Sequence, residues 1–315
     1  MAKYIFKRVG YSLLTIFLII TLTFFMMHAL PGDPFSTGKA IDPAVMQALQ
    51  EKYDLDKPLP QQFVKYIGNV LQGDLGDSLR YKRPVTQIIG ESFPYSFELG
   101  IRALIFATVA GLLLGILASV KRGTVWDSGS MLIAMLGVSM PSFIIGTLLQ
   151  YFLGLELQRW LGFSVFPITG WNTEMAKIIP SFALGFGTLA IVSRLMRTSM
   201  LDVLNQDYIM TAKAKGLSNQ KIIWRHAVRN AIMPIVTIMG PQAAAILTGG
   251  LVVEKIFSIP GMGKFFVTSI QTNDYMMIAG TTIFYGVFLV AANLIVDILY
   301  CFIDPRIKLS GGKEA

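Results

Sequence analysis

The chain has 315 residues, of which 53% are apolar and only 15% charged, and it carries a formal charge of +8. Soluble domains hold about one quarter charged residues, so an ordinary soluble protein is excluded. The positive charges sit beside apolar runs and are not interleaved with stacking aromatics, which points to membrane orientation and away from nucleic acid. A single cysteine, Cys301, excludes an intramolecular disulfide and any CxxC site, and the two histidines, His28 and His226, lie far apart in the chain. No metal centre is expected.

The first apolar run, Val9 to Leu30, follows Lys3, Lys7 and Arg8. It is too long for a signal-peptide core and lacks an A-x-A site, so a spanning helix is expected; about 20 residues cross a hydrocarbon layer of ~30 Å. Residues 31–96 contain no spanning run. Asp42 and Pro43 form an N-cap and N1 pair for a short helix bearing Val45, Met46 and Leu49. A second amphipathic helix bears Phe63, Tyr66, Ile67, Val70 and Leu71 and is closed by Gly73. Five further spans are expected at about 97–120, 131–155 (with Pro141 inside), 178–192, 231–253 and 277–303.

Orientation follows from Lys and Arg in the flanks and short loops. With the N-terminus inside, 15 such residues lie on the cytoplasmic side and 4 (Arg159, Lys177, Lys255, Lys264) on the other. Segment 31–96 is left out of the comparison, because long loops translocate largely regardless of charge. Both termini are expected in the cytoplasm.

The longest polar stretch of the second half, Arg194 to Pro234, contains seven Lys or Arg and only Asp202 and Asp207 against them. Met196, Met200, Val203, Leu204, Tyr208 and Thr211 recur at spacings of three and four, the pattern of one amphipathic helix. Gly216 is a helix stop, and Ser218 an N-cap for a second helix with Ile222, Ile223, Ala227 and Val228. A basic helical hairpin on the cytoplasmic side is therefore expected, and it needs a partner surface.

Few residues offer chemistry. Gly261, Gly263 and Lys264 superficially resemble a phosphate loop, but Ser258 and Phe265 stand where a Walker A motif requires Gly and Ser or Thr. No nucleotide site is legible on this chain, so an ATP-driven cycle requires a separate ATPase. Glu98 and Arg102, four apart, read as an intrahelical ion pair or as a substrate contact at a pathway mouth. Asp297, four residues after Asn293, reads as a polar packing residue or as a proton-coupling carboxylate. No catalytic triad or carboxylate pair is present, and no enzyme activity is expected.

Six stretches in order resemble the inner-membrane permease of bacterial ABC importers for dipeptides and oligopeptides. They are 28–34 (HALPGDP), 73–78 (GDLGDS), 208–216 (YIMTAKAKG), 225–231 (RHAVRNA), 254–263 (EKIFSIPGMG) and 304–307 (DPRI). The resemblance implies an all-α membrane protein of six transmembrane helices, with a type I ABC importer permease core and an extracytoplasmic domain between the first and second helices. Its parts would be a cytoplasmic N-terminus at 1–8, a first span at 9–30, an extracytoplasmic helical domain at 31–96, a five-helix core at 97–303 with a coupling loop at 194–230, and a cytoplasmic tail at 304–315. The family's E-A-A-x-x-x-G loop, aligned on Gly216, places the ATPase contact at Met210, Thr211, Ala212, Lys213, Ala214, Lys215, Gly216, Leu217 and Ser218. Met210 stands where the family has glutamate, so that glutamate's salt bridge is not carried over.

The implied partners are a second homologous permease, two ABC ATPase subunits holding ATP and Mg, and an extracytoplasmic solute-binding protein, all at the bacterial cytoplasmic membrane. Cofactors are expected on the partner chains and none on this one. Gly240, Pro241, Gln242 and Thr248 are candidate pathway residues in the fifth span, and Glu98, Arg102, Pro260 and Gly261 candidate entrance residues. Related permeases make nickel or another small solute the alternative cargo. A proton-coupled carrier using Asp297 and a membrane scaffold are the alternatives of other classes.

Overall fold

The computed structural model describes the backbone of residues 2–29 and 56–303, and side chains over 6–29 and 56–295. The helix expected at 42–49 and the tail at 304–315 lie outside the described residues, as does the side chain of Asp297. Among the described residues there is no strand, only an isolated bridge between Asp77 and Pro84. In chain order the helices are α1 (Ala2–Ala29), α2 (Leu59–Leu71), α3 (Val85–Val120), α4 (Val125–Ser139) and α5 (Ser142–Leu161). There follow α6 (Glu174–Leu204), α7 (Asp207–Ala214), α8 (219–231), α9 (Met233–Leu247), α10 (Leu251–Ile256), α11 (Met262–Gln271) and α12 (Tyr275–Ile303). Among the described residues five helical stretches, with α9 and α10 taken together, are long and apolar enough to cross a membrane, and the bent pair α4–α5 makes a sixth if counted as one.

Two spans differ from the expectation. The third is broken: α4 and α5 meet at 114°. Pro141 lacks the N–H that would continue the helix, and Met140 before it is extended at φ −99, ψ 128. The fifth is interrupted at 248–250, where Gly249 takes φ +83 and α10 starts afresh. α5 also contains a π-helical segment, Gln150–Glu156.

The chain divides into two compact units. The first, Met1–Tyr95 with Pro260–Ala315, contains α1, α2, the beginning of α3, α11 and α12. Its core joins Val85, Ile88 and Ile89 of α3 to Met262 and Met277, and α1 packs along α12. Residues 78–80 are tied down by the buried carboxylate of Asp274. That group accepts hydrogen bonds from Ser78 Oγ (2.5 Å) and from the backbone N–H groups of Leu79, Arg80 and Met277 (3.2 Å each). Four donors compensate the cost of burying the charge. The amphipathic helix expected around Phe63 to Leu71 is α2, although Leu71 at its end faces outward.

The second unit, Ser96–Ile259, is built on α6, which packs against α4, α5, α8, α9 and α10. Close approach is what the sequence secures here. A Cβ on Gly185 of α6 would lie 2.5 Å from the Ala103 carbonyl oxygen of α3. One on Gly111 would lie 2.9 Å from the Leu189 oxygen, and one on Gly115 2.6 Å from that of Ser193. On the other side of α6, a Cβ on Gly137 of α4 would come within 2.9 Å of the Phe186 oxygen. Small residues at four-residue spacing let membrane helices touch backbone to backbone and gain dispersion contacts lipid cannot supply.

Gly185→Ala should therefore lower stability by about 1–3 kcal/mol. Gly187→Ala should be nearly silent, because its Cβ would meet only the Gly137 oxygen at 3.5 Å. Thermal unfolding of the two variants in detergent checks this, and equal midpoints would contradict the close-approach reading.

Candidate coupling and pathway site

The hairpin expected over 194–234 is present, but its first arm is two helices and not one. α6 runs on to Leu204; Asn205 (φ −91, ψ 0) and extended Gln206 (φ −78, ψ 149) break it, and α7 begins at Asp207. The shared apolar face breaks with it: Met196 and Met200 are fully buried, whereas Tyr208 and Thr211 are exposed. α7 ends as foreseen at Gly216, in the left-handed region at φ +75. The Gly216 N–H donates to the Lys213 oxygen (2.9 Å) and the Leu217 N–H to the Ala212 oxygen (3.3 Å), a Schellman cap. Ser218 does precede the second arm in an extended conformation, but its side chain makes no capping hydrogen bond. That arm, α8, is π-helical over Ile222–Ala227.

Two small cores make the hairpin a defined body. Ile209, Ala212 and Ile222 bury one another with Leu217 against them. Met196 and Met200 of α6 meet Ala227, Ala231 and Ile235, which seats α8 on α6. Asn230 Nδ2 also donates to the Tyr208 hydroxyl (3.1 Å), joining α7 to α8. Of the nine expected coupling residues, Ala212 is buried and Leu217 half-buried, while Met210, Thr211, Lys213, Ala214, Lys215, Gly216 and Ser218 face outward. The geometry leaves an exposed edge of small and cationic groups on a rigid support.

The candidate pathway residues separate. Gly240 is buried, whereas Pro241 is exposed. The Gln242 Oε1 accepts from Thr188 Oγ1 (3.0 Å), linking α9 to α6, and Thr248 Oγ1 donates to the Ala245 oxygen (2.7 Å) at the end of α9.

At the other end of α6 the Glu98–Arg102 pair is part of a larger network. Glu98 Oε1 accepts from Arg102 Nε (2.9 Å) and Lys177 Nζ (3.0 Å), and Glu98 Oε2 from the Trp171 indole N–H (2.9 Å). Arg102 and Lys177 both reach Glu174, at 2.8 and 3.0 Å, and the Lys177 ammonium lies 5.5 Å from the Trp171 ring centre. Two acids and two bases alternate, so the cluster is neutral. Pro260 is exposed and Gly261 buried at the start of α11, in the first unit.

Sequence reasoning missed Trp171 and Lys177 as partners of Glu98, and Glu174 as the second acid on Arg102 and Lys177, because their loop and helix start are distant in the chain. It also missed the bidentate pair of Arg197 with Asp127 (2.6 and 2.8 Å), to which the Gly123 N–H adds a third bond at 3.0 Å. A signal existed: Asp127 is the only acid between Glu98 and Glu156, and it follows a turn at the end of a span. Among the described residues no group of His, Cys, Asp or Glu is placed to hold a metal ion.

Comparison with known proteins covers nearly all of this geometry. Residues 111–309 match the binding-protein-dependent transport system inner membrane component, and residues 1–100 match the N-terminal part of binding-protein-dependent transport system membrane components. The dipeptide transport system permease protein DppB of Lactococcus lactis subsp. cremoris is 45% identical over 310 residues, covering 98% of this chain and 100% of that protein. The oligopeptide transport system permease protein OppB of Haemophilus influenzae is 42% identical over 311 residues, again covering 98% and 100%. A solved structure of the MetNI methionine ABC transporter in inward-facing conformations superposes with a TM-score of 0.48 at 15% identity, covering 68% of this chain and 96% of that one.

The outer network predicts unequal effects of its two acids. Glu98→Gln removes the charge shared by Arg102, Lys177 and Trp171, whereas Glu174 is largely exposed. The Glu98 variant should lose roughly 1–3 kcal/mol, and Glu174→Gln clearly less, because exposed ion pairs contribute little. Thermal unfolding of both variants compares them, and a larger loss for Glu174→Gln would contradict the hub role of Glu98.

Proposed function

The chain belongs to the family of binding-protein-dependent transport system inner membrane components, and from that premise we propose that it is the permease subunit of an ATP-driven importer of dipeptides or oligopeptides. The observation that carries the substrate class is the end-to-end similarity to two peptide permeases at 45% and 42% identity. In this reading the chain is a multi-pass protein of the bacterial cytoplasmic membrane with both termini inside. Its partners are a second homologous permease, two ABC ATPase subunits that hold ATP and Mg, and an extracytoplasmic solute-binding protein. No cofactor is bound by this chain. Residues 31–96 form an extracytoplasmic domain, and 97–303 the permease core.

The mechanism proposed is alternating access driven through the hairpin. The exposed edge Met210–Ser218 enters the ATPase, with Lys213 and Lys215 facing acidic groups there in place of the glutamate that this chain lacks. Several features support a stiff transmission. α7 and α8 share a core, α8 is seated on α6 through Met196 and Met200, and α6 is held by backbone-close contacts along its length. Closure of the ATPases would then move α6 as a rod and reach Gln242 through its bond to Thr188. Gly240, Pro241, Gln242 and Thr248 are assigned to the route, and Glu98, Arg102, Pro260 and Gly261 to the entrance. As hydrophobic and charged groups change sides only when the whole helix moves, small shifts at the hairpin are amplified by a two-state repacking.

The test uses cells that depend on this importer for peptide uptake. Uptake should collapse when ATP is depleted and survive an uncoupler; the reverse pattern would exclude the ABC reading. Gly216→Pro should abolish uptake, since proline holds φ near −65° where Gly216 takes +75. Membrane insertion of that variant should be unchanged, and normal uptake by it would remove the coupling role.

A further inference from the structure

We propose that the cytoplasmic turn between α3 and α4, together with Arg194 of α6, binds the headgroup of an anionic phospholipid. α3 ends at Val120 and α4 begins at Val125, so two membrane-crossing segments are joined by only four residues, Lys121 to Thr124. A connection that short cannot leave the headgroup layer. Lys121 and Arg122 in it are exposed, and among the described residues neither makes an ion pair.

The nearby acid forms an ion pair with neither, although the charge of Arg122 is felt at Asp127. Both Asp127 oxygens are engaged by Arg197, and one also takes the Gly123 N–H. That pair fixes the level of α6 as well. It brings Arg197 to the turn, and exposed Arg194 lies three residues earlier, on the same face of the helix. Arg194 also makes no ion pair among the described residues. From Glu174 to Arg194 a helix rises roughly 30 Å, the thickness of the hydrocarbon layer, so Arg194 reaches the same boundary.

Three cations that make no ion pair among the described residues thus stand at headgroup depth. Beside them Val125 and Trp126 open α4 with side chains 86% and 65% exposed. An indole at this level is a lipid-interface anchor, and an exposed valine beside unpaired cations suits an acyl chain under a phosphate. Charge that only set topology would need no apolar shelf next to it. The chemistry selects a phosphodiester on a diacyl tail, as in phosphatidylglycerol, over a zwitterionic lipid. The peptide-import reading is not needed for this site, and its failure would leave the site standing.

The experiment follows the thermal unfolding midpoint of the full-length protein in neutral detergent during titration with phosphatidylglycerol, phosphatidylcholine or inorganic phosphate. Phosphatidylglycerol alone should raise the midpoint, and the rise should shrink as salt shortens the reach of the charges. In Lys121→Gln/Arg122→Gln/Arg194→Gln the half-saturating lipid concentration should increase roughly tenfold or more. Trp126→Ala, which keeps every charge, should weaken binding severalfold and covers the case in which the triple variant fails to insert. An equal response to phosphatidylcholine, a response to inorganic phosphate alone, indifference to salt, or unchanged titration of both variants would each overturn the proposal.

Discussion

The backbone-close seating of α6 is the constraint on which the second unit depends. Gly111 and Gly115 of α3, Gly137 of α4 and Gly185 of α6 itself remove the side chains that would hold these helices apart. In a bilayer there is no hydrophobic penalty for leaving apolar side chains in lipid, so helices associate through packing and hydrogen bonds. Four approaches under 3.0 Å to a hypothetical Cβ, distributed on both sides of one helix, leave it little freedom to slide or rotate. Everything attached to α6 inherits that stiffness.

Polar contacts pin the same helix at three heights. Near its beginning Glu174 and Lys177 join the neutral network around Glu98; near its middle Thr188 bonds Gln242; near its end Arg197 holds Asp127. The two end pins are charged and flank the apolar stretch of α6, and their groups are partly exposed, which moderates the cost of keeping ions. The inner pin is neutral. Such a distribution holds α6 against its neighbours along its whole length.

Much of this was legible in the amino-acid order, for identifiable reasons. Apolar run length depends only on the thickness of the bilayer, and it located the spans. Gly216 was legible because a positive φ at a helix end leaves few residue choices. The break at Asn205–Gln206 was not, because Met196 to Thr211 keeps helical spacing across it and spacing does not report a backbone interruption. Pro141 was seen, yet a proline within a span is compatible with a mild kink, and only the extended backbone of Met140 made it a 114° bend. Asp127 stood out as a lone acid, but its partner and those of Glu98 were not legible: Trp171, Lys177 and Arg197 reach them across 70 residues or more of chain, through tertiary contact.

In the proposed mechanism α6 and the hairpin over 194–234 move as one body. Spin labels at exposed Met175 and Lys215, introduced as cysteines after Cys301→Ser, measure it by pulsed electron resonance in the assembled importer. One narrow distance distribution is expected, the same without nucleotide and with ATP trapped. A shift of more than ~5 Å, about one helical turn, or a split distribution on ATP binding would contradict it.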